Sequence, residues 1–384
     1  RYISFKCTVQ SSGQYTVEVY GGNKVDSLIN TQTINTNIEY QYQLPIGYGK
    51  PYGSNGYTQY KIRIYPTLTT KKVLTFLATK HPSSSLTNDC FLLVNINNNS
   101  LTSFNFAGNV AGITPINIKY VNFYYCINVN TLAYTFYACK TLVNVTFAKT
   151  CSEVTSLYNT FNSCSTMTYL KFPTKMDKVT TMAYCCKLMI KAKTIIMPQS
   201  AVLLNNVEWM ITECPLLETF IFPVHMDNVT TLFNPNGFIG GFFHYSTLIK
   251  NVQMPLTMKK LTNMTKFLSQ KTNITSLTLP DTLNNLTTIN SMLEGATSLT
   301  NVVMPRSMTS LKSMEYFVSG SGITSLTLPD TLNSVTSIKG MCSNATSLTN
   351  ITMPRSMPSL KYMEYFISGS GITSLTLPDT LNSV

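Results

Sequence analysis

Along most of this chain the apolar positions recur in a fixed order. The pattern reads L-x-x-L-x-[LMF]-P, then two or three residues, then V-x-x-[MI]-x-x-[MF] and a small residue or Cys. In Leu348-Thr349-Asn350-Ile351-Thr352-Met353 the spacing turns Leu348, Ile351 and Met353 inward and the residues between them mostly outward, as in a short strand. Pro354 has no N–H to give a ladder, so it ends that strand. The V-x-x-M-x-x-M-F part predicts a short extended or helical return. One such coil buries little by itself, so the coils must stack on their neighbours.

The repeat is explicit in the second half of the chain. Residues 276–324 and 325–373 are near-copies of 49 residues, and a third copy begins at Ser374. Each copy is two coils, because Pro280, Pro305, Pro329, Pro354 and Pro378 follow one another at steps of 25 or 24 residues. Pro255, Pro223, Pro198 and Pro173 hold the same place further back, with Ala148 before them. Only the Pro223–Pro255 interval, at 32 residues, is long. These observations predict a solenoid from about Leu101 onward, continuing past Val384.

Residues 1–97 follow a different grammar. Tyr2–Val9, Gln14–Tyr20, Leu28–Ile34, Ile38–Leu44, Gln59–Tyr65, Val73–Ala78 and Cys90–Ile96 alternate or are rich in β-formers, with turn signals between them. Seven short strands at that spacing predict an immunoglobulin-like β-sandwich over 1–97. The expected fold is therefore mainly β: an immunoglobulin-like sandwich followed by a repeat solenoid over 98–384.

The motifs VTTM (179–182), TFNSC (160–164), TFYAC (135–139) and LKFP (170–173) on a 25-residue step resemble the BspA-like leucine-rich repeats of microbial surface proteins. Those repeats read L-x-x-L-x-L-S followed by V-x-x-M-x-x-M-F-x-x-C. The resemblance covers roughly 101–384, and departs where Pro stands for Ser and where Ala296 and Ala345 stand for Cys. It implies a surface or adhesion protein. The N-terminal segment is similar to the PKD-type domains that precede such repeats, although the W-D-F-G-D-G run of those domains is missing.

Composition narrows the classes. With 44% hydrophobic and 11% charged residues the chain is too apolar for disorder, and no apolar run is long enough to span a bilayer. The net charge of +12 comes from scarce acids, without the dense basic run of a nucleic-acid binder. No P-loop, nucleophile elbow, HExxH or dinucleotide fingerprint occurs, so the expected protein is not an enzyme and uses no cofactor. No CxxC is present and His81, His225 and His244 lie far apart, which argues against a metal site. Cys139, Cys164, Cys186 and Cys214 are expected as one column of small buried residues, thiols more readily than disulfides. GSGIT at 320–324 and 369–373 repeats with the coil and reads as a turn.

Three surface features remain. Asp281, Arg306, Asp330, Arg355 and Asp379 alternate in sign after the prolines, and Glu315, Lys339 and Glu364 form a second alternating column. With coils about 5 Å apart, these columns place opposite charges side by side. The long interval carries Phe238, Phe242, Phe243, His244 and Tyr245 among glycines. They predict either a bulging contact site or rings folded under to fill a widened coil. The loop 46–57, with Tyr48, Tyr52 and Tyr57 between glycines, is a second contact candidate. The function expected is a non-enzymatic binding or adhesion protein at an extracellular or cell surface, with a protein or glycan as partner. The alternative is a structural or receptor-binding part of a virus particle or filament, with neighbouring chains as partners.

Overall fold

The computed structural model describes residues 118–124, 126, 128–233 and 241–381, and within 1–117 the strands named below. The first ten strands are β1 (Tyr2–Thr8), β2 (Gln14–Gly21), β3 (Ser27–Asn35), β4 (Glu39–Gln43), β5 (Lys50–Tyr52), β6 (Tyr57–Gln59), β7 (Lys61–Pro66), β8 (Lys72–Leu77), β9 (Phe91–Ile96) and β10 (Leu101–Asn105). They form a four-stranded sheet in the order β10-β8-β1-β4, an antiparallel sheet β3-β2-β7 and a small hairpin β5-β6. In β2, Val17 and Val19 are buried while Thr16, Glu18 and Tyr20, which alternate with them, are only half-buried, the period of two that one covered face requires.

Two strand pairings cross the expected 97/98 boundary. β9 pairs in parallel with β11 (Ile118–Phe123), and β11 with β12 (Asn144–Thr146), through the register Val94–Val121–Val145. Thus Phe91–Ile96, expected with the N-terminal strands, extends the repeat sheet. β10, expected at the head of the repeats, pairs in parallel with β8.

From there the chain is a β-solenoid. Each coil contributes one three-residue strand: β13 (Tyr169–Lys171), β14 (Thr194–Ile196), β15 (Thr219–Ile221), β16 (Asn251–Gln253), β17 (Ser276–Thr278), β18 (Asn301–Val303), β19 (Ser325–Thr327) and β20 (Asn350–Thr352). The middle residue of each faces the core, and the register stacks like on like, as in Leu170–Ile195–Phe220–Val252. Two further lines of parallel bridges run beside the strands, for example Lys175–Ser200 and Ser313–Ser337–Tyr362. The return segment, expected as extended or helical, is built of turns and single bridges. No helix occurs among the described residues. In every described return but the widened one, two residues take positive φ, such as Tyr184 (56°) and Leu188 (59°), and a left-handed residue every few positions stops a helix from propagating.

Threonine holds the coils in register. The hydroxyls of Thr155, Thr180, Thr262 and Thr287 each donate to a backbone carbonyl of the preceding coil, at 2.9–3.2 Å. Thr300 and Thr349 repeat the bond on the strand side, donating to the carbonyls of Thr275 and Thr324. The high threonine content is thus partly a stacking device. Between these ladders lie fully buried columns such as Leu157–Met182–Val207 and Met264–Ile289–Met314. Burying one such side chain contributes about 1.5–3 kcal/mol.

The cysteines among the described residues divide into two groups. Cys126 and Cys151 are disulfide-bonded across adjacent coils, a link the spacing alone did not distinguish. Cys139, Cys164, Cys185, Cys186, Cys214 and Cys342 are buried thiols. Cys164 and Cys214 donate to the carbonyls of Phe136 and Cys186. Those bonds correct the expected column. Cys139, Cys164 and Cys214 share one place in the coil, Met189 holds it in the intervening coil, and Cys186 belongs with Phe136 and Phe161. Burial pushes the Cys139, Cys214 and Cys342 thiols up to about 12. A polar thiol reagent should therefore modify none of the six until denaturant unfolds the coils; fast labelling of Cys139 or Cys164 in native buffer would contradict this packing.

Candidate interaction surface

The long interval places its aromatic residues unequally. Residues 234–240, including Phe238, lie outside the described residues. Phe242 and Phe243 are 1% and 0% exposed and cannot serve as contacts. Their rings pack with Phe220 at 5.7 and 5.4 Å and with Phe267 at 6.1 and 5.4 Å, filling the core of the widened coil. Transfer of the rings from water outweighs display, and Phe243 occupies the place held by Ile211 and Leu268 in the flanking coils. His244 is half-buried and stacks on Tyr245 at 3.9 Å, whereas Tyr245, 57% exposed, remains available to a partner. Of the second candidate loop, Tyr48 lies outside the described residues. Tyr52 and Tyr57 face each other in register across β5 and β6, with their side chains outside the described set.

Beneath this coil lies a polar fault. Lys271 is 7% exposed and occupies the inward place of Cys214, Ser246 and Ala296. Burial alone pulls its amine down to about 8, and no carboxylate lies within 4.0 Å of it among the described residues. The hydroxyls of Thr212 and Ser246 and both ring nitrogens of His244 are buried there without a hydrogen-bond partner. Burial, and then the charge of Lys271, hold the His244 imidazole below its ordinary range.

The alternating columns are adjacent in backbone but mostly unpaired in side chain. Arg306 Nε lies 3.9 Å from Asp281 Oδ2, with both side chains largely exposed, and the Arg306 N–H donates to Asp281 Oδ1 at 3.0 Å. Among the described residues Asp330, Arg355 and Asp379 form no ion pair within 4.0 Å, and Asp379 N–H instead donates to the Arg355 carbonyl. Lys339 pairs with neither Glu315 nor Glu364; Glu315 accepts from the Ser337 hydroxyl at 2.6 Å. Such exposed heads gain little from pairing and keep their water. Ion pairs that do bridge coils lie elsewhere, at Lys178–Glu153 (2.7 Å) and Lys259–Asp227 (3.2 Å). A groove of about 520 Å³ runs past Lys260, Thr262, Thr287 and Lys312. Three of those four groups already bond to neighbouring coils: Lys260 to Asn228, Thr262 to Thr230 and Thr287 to Thr262.

A different surface stands out on the turn edge. Its first left-handed position is filled in successive coils by Tyr134, Asn159, Tyr184 and Trp209, and later by Lys266, Ser291, Tyr316, Gly340 and Tyr365. A left-handed L-residue other than Gly or Asn costs roughly 1–2 kcal/mol, and Asn159 shows that the coil accepts a cheaper residue, whereas at Gly340 the Tyr316 ring lies 2.4 Å from where a Cβ would stand. Yet five of these nine positions are aromatic. Their rings are not core: Tyr134, Tyr184 and Trp209 are half-buried, and Tyr316 and Tyr365 are 37% and 67% exposed. Tyr158 links Tyr134 and Tyr184 edge-to-face at 5.3 and 5.8 Å, and Lys187 Nζ stands 5.9 Å from both the Tyr184 and Trp209 ring centres. Lys187 is also paired with Glu213 at 3.6 Å. No single hydropathy pattern marks this edge; the signal was an aromatic in the turn at the repeat period.

Stacked coils of 24 or 25 residues, each with a short parallel strand and a Leu/Ile/Met interior, define a leucine-rich-repeat solenoid. The profile of the BspA type leucine-rich repeat region matches in six copies, over residues 116–238, 228–342 and 262–384, and the chain belongs to that family. A crystallised leucine-rich repeat protein from Eubacterium ventriosum is similar at 14% identity. It covers 79% of this chain and 92% of its own, with a TM-score of 0.26. No curated protein sequence matches.

Proposed function

We propose that this is a non-enzymatic binding protein of the adhesion type, displayed outside a cell, whose solenoid holds an array of contact groups at fixed spacing. The observation that carries the reading is the turn edge, where aromatic side chains occupy strained backbone positions without serving the core. Membership of the BspA-type family supports it, since the resemblance implies surface proteins. The division of the N-terminal strands into two main sheets supports an immunoglobulin-like sandwich as the base of the array. Beads coated with the 384-residue chain should adhere to intact cells or to extracellular matrix, and beads coated with heat-unfolded chain should not. Equal adhesion by both preparations, or none by either, would overturn the reading. Electron microscopy of the native assembly tests the alternative of a particle or filament component, which requires a symmetric array.

A further inference from the structure

We propose that the aromatic turn edge binds a neutral, linear glycan lying along the solenoid axis. This deepens the binding reading above and rests on it. The contact groups repeat with the coil, so they suit a polymer that itself repeats better than the aperiodic surface of a folded protein. Tyr134, Tyr184 and Trp209 offer half-exposed rings, and Tyr316 and Tyr365 continue the rank on the far side of the widened coil. An aromatic face takes the apolar C–H face of a sugar ring, while polar groups beside it take the hydroxyls.

Those polar groups decide the charge of the ligand. Glu208, Glu315 and Glu364 directly precede Trp209, Tyr316 and Tyr365, so a carboxylate flanks three of the five rings. The Lys187 ammonium between Tyr184 and Trp209 is offset by Glu213. Carboxylates beside the rings accept hydrogen bonds from sugar hydroxyls, and with Lys266 and Lys339 on the intervening coils the edge is mixed in sign, so it lacks the positive excess that an anionic polymer would need despite the chain's +12.

The chain has a single tryptophan, and it sits on this edge. Titrating the full chain with soluble neutral polysaccharides (a β-glucan, a mannan, chitin oligomers) should shift Trp209 emission for at least one of them. Affinity should rise with oligomer length, as binding spans further coils. Heparin and single-stranded DNA serve as anionic probes. Tyr184→Asn and Tyr316→Asn place in the turn a residue that tolerates left-handed φ, so folding should hold, as checked by thermal unfolding. Binding to the same polysaccharide should weaken by about tenfold for each, read by affinity electrophoresis. Retained binding in the double variant, binding of the anionic probes alone, or no response to any neutral polysaccharide would each overturn the proposal. Bead adhesion that persists in that case would leave the broader reading standing with a protein as the partner.

Discussion

Lys271→Met should make the protein more stable at neutral pH, by about 3 kcal/mol. The place is an inward one, occupied by Met189 in an earlier coil and by Ala296 in the next, so methionine fits it in volume and polarity. Burial moves the Lys271 amine from 10.5 to about 8, and each tenfold change in proton affinity corresponds to about 1.4 kcal/mol. Unfolded chain holds this proton up to about pH 10.5, whereas the folded chain releases it above about 8. The destabilisation is thus complete below about pH 8 and disappears as the pH rises through that window. Urea unfolding of both chains at several pH values tests it. The variant should unfold at higher urea at pH 7, and its advantage should shrink toward pH 10.5. A variant that is less stable, or whose advantage does not change with pH, would show that Lys271 is not a buried unpaired cation.

Phe243→Ala should cost about 3–5 kcal/mol, the range for an aromatic removed from a core. Its ring is fully buried and meets Phe220, Phe242 and Phe267 at 5.4, 5.0 and 5.4 Å. The Cβ of an alanine at Gly241 would fall 1.7 Å from the Lys266 carbonyl oxygen, so the backbone there has no room to collapse into the gap. Tyr245→Ala, two positions on and 57% exposed, should change stability by less than about 0.5 kcal/mol. Because coils depend on their neighbours, hydrogen exchange in Phe243→Ala should quicken in the coils of Phe220 and Phe267 before it does near Leu326. Similar stabilities for the two variants would return Phe243 to the surface.

The repeat part of the fold was legible because one register governs it. Leu348 and Ile351 point inward and Pro354 follows the strand, as the 25-residue step requires. What the register hides is which of two neighbouring inward places a residue takes. Cys186 lies three residues from Met189, both places are buried, and only the hydrogen bonds of Cys164 and Cys214 tell them apart. Apolarity does not separate exposed from buried aromatics within a short insertion either; Phe243 and Tyr245 are two positions apart, yet one is fully buried and the other exposed. The N-terminal boundary was illegible for another reason. Phe91–Ile96 is a good strand in either sheet, and only pairing with Ile118–Phe123 decides which. The turn edge escaped a reading by hydropathy because its tyrosines owe their meaning to backbone conformation, with Tyr184 and Tyr316 at positive φ.

The threonine-locked coils carry an evolutionary corollary. Residues 276–324 and 325–373 present matching inward places, with Val335, Cys342 and Ile351 standing where the first copy has Leu286, Leu293 and Val302, the same hydroxyl donors at Thr287 and Thr336, and the same Asp–Arg order. Unequal recombination between the two segments inserts or excises whole pairs of coils, and every junction so created is one the solenoid already contains. Each such event changes the reach of the array by two coils, about 10 Å, and adds or removes one Glu-Tyr pair from the turn edge. Length in this chain is therefore a heritable variable that selection can tune without passing through a misfolded intermediate.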